Sequence, residues 1–217
     1  MNKKYSKKEE EFSGISDMLE GRHHVIPIMS NDDEEAAEKV DIPQILPILT
    51  LRSSVLFPGS ITPITVGREK SMKLVREVEG VGGILGAVLQ KEPEVEQPGP
   101  DDLYRIGTAA RILKVLEMPN GNLTVILHGL EKVEISEFVV SEPYFKASVA
   151  TLKDSTPDPS NIEFEALVDS IKDVALNIIN VSPQMPKEAT FAIKNIDNKR
   201  GIINFICSNL DLPDSDR

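Results

Sequence analysis

The chain has 217 residues, 40% of them hydrophobic, enough to bury a core without covalent staples. Its 24 basic and 35 acidic side chains leave a net charge of −11, which repels a phosphate backbone and makes nucleic acid a poor partner. Cys207 is the sole cysteine, which excludes an internal disulfide and a cysteine zinc cluster and fits a reducing, cytoplasmic setting. No window approaches the roughly 18 uninterrupted apolar residues of a membrane span, and Glu9, Glu10 and Glu11 follow the early lysines where an export signal would turn apolar.

Residues 1–43 read as a polar, disordered extension with an acidic run at Asp32, Asp33, Glu34 and Glu35. Its one apolar patch, Val25 to Met29, contains Pro27 and reads as a tethered loop. Leu46 to Leu51 then puts apolar side chains on both faces, the pattern of a strand covered on both sides. Pro58 and Gly59 supply a turn, and Ile61 to Val66 form the next strand. Met72, Leu74, Val75 and Val78 mark the apolar face of a helix, leaving Arg68, Lys70, Lys73, Arg76 and Glu77 for solvent and Gly80 for its closing cap. A strand at Ile84 to Leu89 precedes the proline-rich acidic loop KEPEVEQPGPDD.

Tyr104 to Leu116 and Leu123 to Ile135 form a long hairpin about Asn120-Gly121, a pair that tolerates the positive φ of tight turns. Gly107 and Gly129 interrupt its strands where a curved sheet needs bulges or bends. Glu137 to Leu152 holds a further strand pair, with Pro143 at an edge or break. Many strands, one early helix and no βαβ alternation predict a small closed or half-closed β structure and not a parallel sheet. Beyond a linker at Ser155 to Pro159 the period turns helical, with Asn161 as cap and a stripe of Phe164, Leu167, Val168, Ile171, Val174, Ala175 and Ile178. Shorter helices follow around Lys187 to Asn195 and Lys199 to Leu210, the last with Ile202, Ile203, Ile206 and Leu210 inward. Asp211-Leu212-Pro213 reads as the cap of another helix.

Two stretches carry a family resemblance. LPILTLRSSVLFPGSITPITVGREKS, from Leu46 to Ser71, resembles the opening of the N-terminal domain of Lon, the ATP-dependent serine protease, with Leu51, Arg52, Val55, Phe57, Pro58, Pro63, Val66, Gly67, Arg68 and Ser71 in the family's places. LYRIGTAARILKVLEMPNGNLTVILHGLEKVEI resembles the second signature of that domain. Ser53 departs from the pattern, which often has an acidic residue there. The resemblance implies an α+β fold: a PUA-like curved β-sheet or small β-barrel subdomain with one inserted helix over residues 44–154, then a helical subdomain over 160–217, cut short at its C-terminal end. It also implies a non-catalytic part of a homohexameric protease that recognises unfolded or damaged polypeptides in protein quality control. ATP and Mg belong to the parent protein's further domains, and this stretch needs no cofactor. A free-standing Lon-domain adaptor is the alternative.

The chemistry agrees with a binding role. There is no G-x-x-x-x-G-K-(S/T) phosphate loop and no G-x-S-x-G elbow, so no residue is assigned to catalysis. Gly80 to Gly86 closes a helix and opens a strand, the reverse of a dinucleotide loop. His23 and His24 read as solvated rather than metal-bound, and His128 as a surface or edge residue. RNA binding, a frequent use of PUA-like folds, is opposed by the acidic balance. Recognition of unfolded chains needs accessible apolar groups, and Phe57, Pro58, Met118 and Pro119 are apolar residues at turns. The competing reading of each is a local core plug. Leu51, Arg52, Pro58, Pro63, Val66, Gly67, Arg68, Gly107 and Gly129 read as structural, with both arginines capping or bridging strand ends.

Overall fold

The computed structural model describes residues 40–79, 83–153, 161–181, 190, 193–194, 196 and 199–209. The extension before residue 40, Gly80, the 155–159 linker, most of the 187–195 helix and the Asp211-Leu212-Pro213 cap lie outside the described residues.

Six strands, β1 (Ile45–Leu51), β2 (Ile61–Val66), β3 (Ile84–Leu89), β4 (Ile106–Glu117), β5 (Leu123–Val140) and β6 (Lys146–Thr151), form one mixed sheet in the order β2-β5-β4-β3-β1-β6. β6 also pairs with β5, so five strands close into a barrel and β2 hangs from the outside of the seam. The closure depends on the length of β5. Its first half pairs with β2 through Leu123 to His128, and its second half with β6 through Val133 to Val140. Register shifts skip Leu130, Ser136 and Val139 on β5 and Leu113 on β4, and each extra residue bends the strand around the barrel.

Helix α1 (Glu69–Glu79) sits between β2 and β3 and buries Ser71, Leu74, Val75 and Val78. It forms part of a crossover that brings β3 back parallel to β1, pairing Ile48 with Gly86 and Leu51 with Leu89. The sheet is closed and mainly antiparallel, as expected, with this one parallel pair, which the sequence does not announce. The crossover carries a strand as well as a helix, so it lacks the plain β-α-β alternation that advertises such a unit.

β1 is buried on both faces, as its sequence predicts. Leu49 and Leu51 pack with Leu74, Val75, Leu85 and Leu127, while Leu46 and Ile48 pack with Val88, Leu103, Val133 and Ile135. Each fully buried aliphatic side chain contributes about 1.5–3 kcal/mol to holding the barrel together. Pro143 falls in the break after β5, following a cis Glu142–Pro143 peptide.

Two further helices follow, α2 (Ile162–Val181) and α3 (Lys199–Asn209). Asn161 caps α2, its Oδ1 accepting the Phe164 N–H at 3.0 Å. The two helices share a small core of Ile179, Ile193 and Phe205. The predicted stripe on α2 is corrected: Val168 and Ile179 are buried, whereas Leu167, Ile171, Val174 and Ile178 are exposed. On α3 Ile202 is buried as predicted, and Phe205 joins it. None of the described helices is long and apolar enough to cross a membrane.

Candidate functional site: the corner, the edge strand and the hairpin tip

The loop from Leu51 to Ile61 crosses β5 at Gly129. The Phe57 carbonyl oxygen would lie 2.2 Å from a Cβ at that position, so only glycine admits the crossing. Gly59 N–H donates to Gly129 O and Gly129 N–H to Ser60 O, both at 2.9 Å. Ser60 Oγ donates to Phe57 O at 2.6 Å, and the buried Thr108 hydroxyl donates to Leu56 O at 2.6 Å. Gly59 takes φ +78°, which suits the residue after Pro58 in a tight turn. Phe57 and Pro58 are half-buried in this corner, and Asn204 of α3 donates to Pro58 O at 3.2 Å. One hydrogen bond thus joins α3 to the corner.

From the corner, β2 runs to the hairpin tip. Ile61 pairs with His128 and Val66 with Leu123. The six residues of β2 at about 3.3 Å each separate corner and tip by about 20 Å. Phe57 and Pro58 do not therefore form one patch with Met118 and Pro119. The outer side of β2 pairs with no strand among the described residues. Pro63, which lacks an N–H, is exposed on this edge strand, the place in a sheet where proline is tolerated.

At the tip, Met118 and Pro119 are both exposed, Met118 at 42%. The backbone beneath them is fixed: Met118 N–H donates to Asn122 O and Gly121 N–H to Met118 O, both at 2.9 Å, with Gly121 at φ +82°. Asn122 also packs on Gly67, whose missing side chain leaves room for it; a Cβ there would meet Asn122 Oδ1 at 3.0 Å. The glycine of the first family stretch thus seats the tip of the second.

Arg68 bridges strand ends, as its reading as a structural charge expects, and is not the solvated residue of the helix pattern. Its guanidinium donates to Thr50 Oγ1 at 3.2 Å, Gln90 Oε1 at 2.7 Å and Val95 O at 3.1 Å. Gln90, 1% exposed, donates in turn to Glu92 O at 2.5 Å and Val95 O at 3.0 Å. The pair clamps the acidic loop against the ends of β1 and β3. Burial, with the Arg52 charge nearby, lowers the Arg68 pKa, and Glu96 partly opposes the shift. Arg52 itself is exposed, as is Ser53. Sequence reasoning missed Gln90, because a glutamine after an apolar strand carries no pattern of its own.

His128 is corrected from an edge to a central position: it is half-buried on β5 between Ile61 of β2 and Arg111 of β4. Burial, then the Arg111 charge, lowers its pKa. Tyr144 donates to Glu77 Oε2 at 2.5 Å, tying the β5–β6 turn to α1, and this bond above all pushes the phenol up to about 12. Gly107 borders no register shift; its Cβ would lie 2.6 Å from Ala87 O, so it serves close packing against β3, whereas Gly129 does border the shift at Leu130. Among the described residues no three His, Cys, Asp or Glu side chains converge to hold a metal ion.

The arrangement thus offers a closed barrel with a strand edge unpaired among the described residues and Met118 and Pro119 exposed at the tip, and a comparison with known proteins places it. The model of the ATP-dependent protease La (LON) substrate-binding domain matches residues 45–217. This chain belongs to that family. Lon protease of Flavobacterium johnsoniae is 48% identical over 87% of the chain, and that of Parabacteroides distasonis 40% identical over 86%. The chain spans about a quarter of these relatives, 23% of each. The N-terminal domain of Mycobacterium avium complex Lon protease shares the fold, with a TM-score of 0.63 at 16% identity, covering 79% of this chain and 86% of that one. The α+β Lon N-terminal fold expected from the two stretches is the fold found.

Proposed function

We propose that this chain is the non-catalytic substrate-recognition part of a cytoplasmic Lon-type ATP-dependent serine protease, taking unfolded or damaged polypeptides and helping a homohexamer assemble. The match of the substrate-binding family model across the barrel and the helical part carries this reading. ATP and Mg would act in further domains of the parent protein.

The physical route to recognition runs through the tip and the edge. Unfolded chains share bare backbone groups and exposed apolar side chains, and no common sequence. An open β2 edge offers backbone partners to any extended segment. Met118 offers a flexible, polarisable side chain that adapts to many apolar shapes. Its full burial contributes only about 1.5–3 kcal/mol, less than the roughly 4 kcal/mol of even a millimolar complex. Met118 alone therefore does not hold a segment; backbone pairing along β2 adds to it within one copy, and several copies around a ring multiply the hold through effective concentration.

The test is the native size of the polypeptide that carries this sequence, by immunoblot of source-cell extract with an antibody raised against the 23.9 kDa chain. A band several times larger is expected. A band at 23.9 kDa would overturn the protease reading in favour of a free-standing Lon-domain adaptor.

A further inference from the structure

The open side of β2 presents a defined set of backbone groups. Ile61 pairs with His128, and Gly129 N–H donates to Ser60 O at 2.9 Å, which fixes the alternation of this antiparallel pair. Thr62, Ile64 and Val66 turn their backbone groups toward β5, and Ile61, Pro63 and Thr65 turn theirs outward. The edge therefore offers the N–H and C=O of Ile61 and of Thr65, with Pro63, which has no N–H, between them. No residue of β2 carries a charge.

The chain itself supplies a segment that fits this edge. Val25-Ile26-Pro27-Ile28-Met29 is apolar and uncharged, and elsewhere in residues 1–39 apolar side chains come no more than two together. Pro27 fixes its own φ and biases Ile26 toward extended backbone, so the segment suits a strand edge and not a helix seam. The point of entry suits it too. The described residues begin at Val40, and Gln44 O accepts the Val149 N–H at 2.8 Å beside β6. Two residues further, Thr151 pairs with Val133 of β5, and β2 starts opposite His128, five residues back along β5 or about 17 Å. The ten residues 30–39 reach up to about 33 Å, which brings Met29 to the Ile61 end of β2.

We infer that residues 25–29 lie antiparallel along β2 as an added strand, with Met29 opposite Ile61, Pro27 opposite Pro63 and Val25 opposite Thr65. In this register Ile61 and Thr65 each exchange two backbone hydrogen bonds with the segment, and the two prolines meet where neither has an N–H to offer. The segment is an internal occupant of the edge offered to an unfolded chain, so its regulatory meaning rests on the substrate reading. A tether of this length sets an effective concentration on the order of millimolar, so the segment holds the edge against a weak guest and yields to a stronger one.

Amide hydrogen exchange of the full 217-residue chain, followed by NMR, tests this beside a variant carrying Val25→Pro and Met29→Pro. The variant removes the donors of the segment and alters no described residue. Exchange at Ile61 and Thr65 is expected to be about threefold or more slower in the wild type than in the variant. In fluorescence anisotropy with a carboxymethylated, unfolded polypeptide, the variant is expected to bind about threefold or more tightly than the wild type. Equal exchange at both amides in the two chains overturns the inference, as does protection that persists in the variant and rises with protein concentration, the mark of a second copy on the edge. Protection that is lost in the variant while neither chain binds the polypeptide upholds the docking and overturns the substrate reading alone.

Discussion

Single substitutions isolate the consequences of particular residues. Gly129 admits the Phe57 carbonyl, and the obstacle to a Cβ is backbone held by three hydrogen bonds, which cannot give way cheaply. Gly129→Ala is expected to cost about 3 kcal/mol or more in chemical denaturation. Gly59→Ala, at a positive φ with open space around it, should cost only about 1–2 kcal/mol. Arg68→Lys replaces a three-acceptor fork by a single ammonium and leaves buried Gln90 short of a donor. A loss of about 1–3 kcal/mol is expected, against about 0.5 kcal/mol or less for Arg52→Ala at its exposed position. His128 sits below its ordinary 6.5 in the folded chain, so the unfolded chain takes up the proton first as pH falls. Its contribution is fully present above about pH 6.5 and is lost as pH drops through the lower folded-state value. Denaturation midpoints of the wild type should fall more steeply between about pH 7.5 and 5 than those of His128→Gln.

At the scale of elements, the hairpin tip and α2 show where sequence is legible and where it is not. The tip was readable because Asn120-Gly121 dictates a tight turn, whatever the rest of the fold does. Whether Met118 plugs a core was not readable, since that depends on what β2 and α1 leave uncovered nearby. With Met118 exposed, Met118→Ala is expected to change stability by no more than about 0.5 kcal/mol while weakening capture of unfolded polypeptide. A large loss of stability would restore the plug reading. In α2 the periodicity correctly gave a helix and its cap, but apolar spacing alone does not tell which of two adjacent stripes meets a neighbour within the chain. Arg68 shows the same limit from the polar side: the helix pattern sends it to solvent, and the distant acidic loop calls it back.

For the whole molecule, the barrel was legible in outline because both faces of Leu46 to Leu51 are apolar and the long hairpin curves at Gly129. The parallel β1–β3 pair was not, because the crossover includes β2 and its pairing is set by closure of the barrel. The same closure leaves β2 as the outer strand, with Met118 at one end and the Phe57 corner about 20 Å away at the other. On the proposed function, such a surface would take extended, apolar-rich chains in preference to their folded counterparts. The most direct measurement is fluorescence anisotropy of one labelled polypeptide, titrated with the 217-residue chain in its reduced, carboxymethylated, unfolded state and again in its native state. Saturable binding of the unfolded form alone, weakened by Met118→Ala, is the predicted result; equal binding of both forms, or of neither, would contradict substrate recognition by this chain.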